Sequence, residues 1–169
     1  MAAEGRYVLT IAKSKLSGIL KVCPPIHQQP VQITDLFINL VIENTGELRR
    51  RLEVAAKTTG TVLQRLGQVT DTYLDFVKEH ERGFLYYHHV GHVDTTVGPL
   101  SAWACNQCAL SLRPLLEEGM ARGEIRKADP ELLAQAVVGL TQHIASYWLQ
   151  HQEVYTREQI KDFLSHLFG

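Results

Sequence analysis

A chain of 169 residues with 45% hydrophobic and 21% charged content is an ordinary soluble globular protein of one domain, with enough apolar material for a sizeable core and no repeats or low-complexity tracts. Seventeen basic against eighteen acidic residues leave a net charge of −1, so no global field advertises nucleic acid or a membrane surface. Three cysteines, Cys23, Cys105 and Cys108, make no disulfide framework, and without a signal-peptide pattern a cytoplasmic location is expected.

Residues 1–33 are the least organised and hold a local basic bias, with Arg6, Lys13, Lys15 and Lys21 against Glu4. A short helix is predicted over Tyr7 to Val22, stopped by Cys23-Pro24-Pro25, and Pro24 to Pro30 reads as an extended loop. With Thr34 or Asp35 as a cap, Leu36, Phe37, Leu40, Val41, Leu48 and Leu52 recur at helical spacing to about Lys57. Thr58-Thr59-Gly60 breaks that helix, and Val62, Leu66, Val69, Tyr73, Phe76 and Val77 predict another through Lys78. Arg82 to Val93 is expected to form a short helix ending near Gly91. Gly98-Pro99 opens a longer one towards Met120, with a kink near Leu110 from Pro114.

The clearest punctuation lies between Leu115 and Gln150. Gly123 follows a basic last turn and suits the left-handed end of a helix, and Asp129-Pro130-Glu131 supplies a cap, a preorganised first position and a charge matched to the dipole. From Leu132 to Gln152 there is no Asp, Glu, Lys or Arg. At 100° per residue, Leu132, Ala136, Leu140, His143 and Tyr147 form one stripe, with further apolar stripes beside it. Only Gln135, Gly139, Gln142 and Ser146 make a polar strip, so this helix needs cover on two sides, one of them expected to be a second copy of the chain. The glutamines and His143 argue against a membrane span. Thr156 to Gln159 is a capping box before Ile160, Phe163, Leu164, Leu167 and Phe168, expected on one face. No period-two strand pattern occurs, so an all-α bundle is predicted.

From about Thr34 onward these residues resemble the effector-binding and dimerisation domain of TetR-family bacterial transcriptional regulators. The resemblance rests mainly on Leu115 to Arg126 followed by Asp129-Pro130-Glu131-Leu132-Leu133-Ala134, which in that family joins a kinked pocket helix to the first of two dimerisation helices. It implies a TetR-like bundle whose last two helices pair with a second copy through Leu133, Val137, Val138, Ile144, Ala145, Trp148, Leu149, Ile160, Phe163, Leu164 and Leu167. Residues 34–169 would be the effector-binding and dimerisation domain. Residues 1–33 would be a truncated or altered DNA-binding head and linker, in which Ile11-Ala12-Lys13 and Ser17-Gly18-Ile19-Leu20 resemble part of a helix-turn-helix. Lys13, Lys15 and Lys21 are its candidate DNA contacts.

The resemblance, together with aromatic content, also implies a pocket for a small apolar effector, with Tyr73, Phe76, Phe84, Tyr87, His88, Trp103 and Gln107 facing one another. A rival reading is a headless ligand-binding protein that forms mixed dimers. A third reading is a metal sensor using His88, His92, Cys105 and Cys108, since each pair shares a helical face and zinc or copper accepts imidazole with thiolate. No cofactor is implied. No nucleophile elbow, phosphate-cradling glycine loop or His-Glu-x-x-His run occurs, so no enzymatic activity is expected.

Overall fold

The computed structural model describes the backbone over residues 28–91 and 97–168, and side chains over 35–87 and 98–167. Six helices account for nearly all of it: α1 (Gln28–Ala55), α2 (Val62–Glu79), α3 (Glu81–Gly91), α4 (Val97–Arg122), α5 (Pro130–Gln150) and α6 (Arg157–Phe168). No strand occurs among the described residues, so the chain is an all-α bundle.

The turns show why the helices begin and end where they do. Gly60, at φ 128°, reverses the chain after α1, and Thr61 then caps α2 with a reciprocal box in which its hydroxyl accepts from the Gln64 N–H while Gln64 reaches back to the Thr61 N–H. Gly123 takes a left-handed conformation at φ 73° past the end of α4, and the N–H groups of Glu124 and Ile125 turn back onto the Gly119 carbonyl. That turn also sets two elements together. A Cβ on Gly119 would lie 2.7 Å from Ile125 Cδ1 and 2.9 Å from Val62 Cγ1, so only glycine admits this approach of α4 to the start of α2. Asp129 caps α5 by accepting from the Leu132 N–H at 2.9 Å, with Pro130 in the first turn, and Thr156 and Gln159 close the box that opens α6.

One start differs from expectation. α1 begins at Gln28, so Gln28 to Pro30 are helical rather than loop, and Thr34 and Asp35 are interior rather than caps. A proline in the first turn forfeits no intrahelical bond, which is why Pro30 does not mark the boundary. The helix therefore runs without a break across the expected division at residues 33 and 34. The earlier helix expected over Tyr7 to Val22, and the DNA-contact candidates Lys13, Lys15 and Lys21, lie outside the described residues.

The core runs through the middle of the bundle, where α4 and α5 pack along each other, α1 lies on α4, and α2 is held between α1 and α6. α1 contributes Ile38, Thr45, Leu48, Leu52 and Ala55 at alternating spacings of three, four and seven, a seam facing the bundle, whereas Leu36 and Leu40 point outward. Leu52, Val62, Leu74, Val77, Leu116 and Leu164 are sealed almost completely from water. Pro114 lies inside α4, where its missing N–H leaves the Leu110 carbonyl without an intrahelical donor on a half-exposed face. Two residues of the polar strip of α5 bond to α4: Gln135 Nε2 donates to Asn106 Oδ1 at 2.9 Å, and Cys105 Sγ donates to Gln142 Oε1 at 2.9 Å. Among the described residues no helix is long and apolar enough to cross a membrane.

Candidate functional site

Helix periodicity brings α1 to α5 around a cavity of about 110 Å³ near the α2–α3 corner. α1 supplies Val41, Asn44, Thr45 and Leu48. α2 supplies Tyr73 and Phe76, and His80, Gly83, Phe84 and Tyr87 follow at the corner and along α3. Ala104, Cys105 and Cys108 come from α4, and Val138 and Gln142 from α5. Tyr73 and Phe76 share the face of α2 set by its three-residue step, and Phe84 meets Tyr73 edge to face with centroids 6.4 Å apart. His80 stacks on Phe76 at 4.3 Å and holds its own ring by an Nδ1 contact of 3.1 Å to the Phe76 carbonyl. The guanidinium of Arg51 lies 5.4 Å from the centroid of the same phenyl ring, outside the cavity.

The thiols and phenols of the lining are held in their uncharged forms. Burial pushes the Cys108 thiol up to about 12, against a smaller lowering by the Arg49 guanidinium nearby. Burial raises Cys105 as well, opposed by its hydrogen bond to Gln142, and raises Tyr73 and Tyr87 above the ordinary phenol value. Both thiols are free. A wall of neutral thiols and phenols is suited to binding, since the thiolate and not the thiol is the nucleophile and metal ligand.

Four of the expected effector residues, Tyr73, Phe76, Phe84 and Tyr87, do line this cavity. Trp103 and Gln107 do not. They face an outer groove between α1 and α4 beside Glu43, Glu47 and Arg50, where Gln107 Oε1 accepts from Arg49 Nη1 at 3.0 Å. The reason is one step of helix: Ala104 and Cys108 share the inward face of α4, and Trp103 and Gln107 lie 100° away. His88 has no described side chain, and His92 lies outside the described residues. Cys105 and Cys108, paired in sequence as thiol metal candidates, both face the apolar cavity, and no group of three or more metal-binding side chains occurs among the described residues. Gln142, Asn44 and Thr45 were missed by the aromatic count. The signal for Gln142 was its place on a polar strip of an otherwise apolar helix.

The expected pairing surface also needs correction. Val137, Val138, Ala145, Trp148 and Leu149 are buried in the chain's own core, as are Ile160 and Leu164, so these side chains are not available to a second copy. Leu133 and Ile144 are partly buried against the same core. The face of α5 left uncovered is the stripe one residue earlier, Leu132, Ala136, His143 and Tyr147, with Leu140 partly covered. On α6 the apolar residues divide between two faces: Ile160 and Leu164 point inward, while Phe163 and Leu167 are each about half exposed, at 52% and 51%. Tyr147 stacks on His151 at 4.1 Å and lies 6.0 Å from Tyr155, so the uncovered surface continues as an aromatic cluster past the end of α5. Comparison of the chain with protein-family models, with curated proteins and with solved structures found no match.

Proposed function

We propose that the chain is a TetR-like, ligand-responsive transcriptional regulator. It takes a small apolar effector into the cavity between α1 and α5, pairs with a second copy through the uncovered stripe of α5 and α6, and holds operator DNA with its N-terminal segment. The cavity carries this reading. Protein interiors are close-packed, and a cavity lined by Tyr73, Phe76, Phe84 and Leu48 leaves apolar surface that a ligand's contacts would cover. Apolar walls with a few converging polar groups are the usual form of a small-molecule site.

Two further features suit the same reading. α1 gives four residues to the cavity and leads directly from the segment that contains Lys13, Lys15 and Lys21, so an effector that fits one position of α1 better than another biases that segment. The stripe of Leu132, Ala136, His143 and Tyr147, with Phe163 and Leu167, lacks formal charge, and its best complement is another uncharged surface such as its own copy about a twofold axis. The test is fluorescence anisotropy of short duplex DNA titrated with the full chain over a salt series, with sedimentation for the oligomeric state. Salt-sensitive binding by a dimer is expected. A folded dimer that ignores DNA even at low salt would sink the operator-binding part and leave a ligand-binding body that works through partner proteins.

A further inference from the structure

The chemistry of the cavity wall narrows its occupant. No lining residue is Asp, Glu, Lys or Arg, so an ionised ligand would surrender its hydration with no opposite charge to meet. An aromatic wall can attract a cation, but here that attraction is already used from outside. Arg51 lies over the Phe76 ring, and Arg49 acts on Cys108 as a positive charge. No lining carboxylate is present to neutralise a second cation inside.

Size gives the next limit. An apolar void of about 150 Å³ is known to hold one benzene ring, and about 110 Å³ is of the size that seats a single ring. The edge-to-face arrangement of Tyr73 and Phe84, with Phe76 beside them, offers both faces and edges to such a ring. The polar handle is Gln142. Its carbonyl oxygen is engaged by the Cys105 thiol, which fixes the amide, and its NH₂ group has no acceptor among the described residues. A donor held at the wall of an apolar cavity selects a ligand that brings an acceptor.

We infer that the cavity takes an uncharged, single-ring aromatic molecule with one hydrogen-bond acceptor, whose oxygen is held by the Gln142 amide. This rests on the ligand-binding reading above and adds the class of ligand to it. Burial holds Cys105, Cys108, Tyr73 and Tyr87 in their uncharged forms well above neutral pH, so none of these four supplies an anion for a cationic ligand to pair with.

Isothermal titration calorimetry of the full chain with four probes of one ring each, phenol, toluene, benzoate and benzylammonium, tests it. Phenol should bind about fivefold more tightly than toluene, the worth of one hydrogen bond, and both ions about tenfold or more weakly than phenol. Gln142→Leu should abolish the preference for phenol over toluene. Benzoate or benzylammonium binding as well as phenol, or a folded Gln142→Leu that keeps the phenol preference, overturns the inference while the ligand site stands. If Gln142→Leu does not fold, the ranking of the four probes on the parent chain decides alone. Silence with all four probes removes the ligand site itself, and the inference with it.

Discussion

The Cys108 thiol lies among α1, α2 and α4 side chains, and its pKa is raised from an ordinary 9.0 to about 12. In the unfolded chain the same thiol loses its proton near its ordinary value, so above that pH the unfolded state binds fewer protons than the folded one, and stability falls as pH rises. The contribution is intact below pH 9.0 and is lost progressively toward about 12. While only the unfolded thiol titrates, the slope from this one group approaches about 1.4 kcal/mol per pH unit. Urea midpoints measured between pH 8 and pH 10 should therefore drop less steeply in Cys108→Ala than in the parent, although the variant starts from a lower midpoint because it leaves a void. Equal slopes would remove Cys108 from the account. At the same scale, sequence shows which residue types are present more readily than which way they point. Tyr73 and Phe76 were legible as cavity residues because α2 has one strongly periodic apolar face. Trp103 was not, because α4 is apolar on several sides and ring size alone does not choose between adjacent residues.

Helix ends were the most legible elements where a side chain supplies the missing backbone partner. Asp129 with Pro130, Gly123 with its positive φ, and Thr156 with Gln159 each stand in the sequence as they act in the fold. Thr61 and Gln64 form the same kind of box and were passed over beside the more obvious break at Gly60. The start of α1 was not legible, because a proline in a first turn and a proline in a loop look alike in sequence. The two faces of α6 were merged for a different reason: Ile160, Phe163, Leu164 and Leu167 span an arc wide enough for one broad stripe, and only the position of α2 decides which part is covered. That division has a measurable consequence. Leu164→Ala should cost about 2–5 kcal/mol in denaturant unfolding, as expected for a sealed leucine. Leu167→Ala should change the stability of the single folded chain by no more than about 0.5 kcal/mol. Similar losses from both would mean that α6 sits in another rotation.

For the molecule as a whole, the burial of Val138 and Leu149 decides which substitution can test self-association. Val138→Arg or Leu149→Arg would place a charge in the core and unfold the chain, so loss of a dimer in either would say nothing about a surface. Ala136 is exposed on the uncovered stripe, and arginine is nearly as good a helix former as alanine. Ala136→Arg should keep the helical circular dichroism of the parent and sediment as a monomer, because a twofold contact would bring two guanidinium groups together. A dimer of undiminished strength would exclude this stripe as the pairing face.

α1 also has a mechanical consequence. At about 1.5 Å per residue it is a rod roughly 42 Å long. Its C-terminal half is clamped in the bundle by Leu48, Leu52 and Ala55, and its cavity wall begins at Val41, some 20 Å along the axis from Gln28. A tilt of about 5° pivoting near Val41 shifts the buried Ile38 by only about 0.4 Å and carries Gln28 through almost 2 Å, more than half the separation of hydrogen-bonded atoms. A rigid rod fixed at one end turns small displacements at its fulcrum into larger ones at its tip, and in this chain the fulcrum is the wall of a cavity.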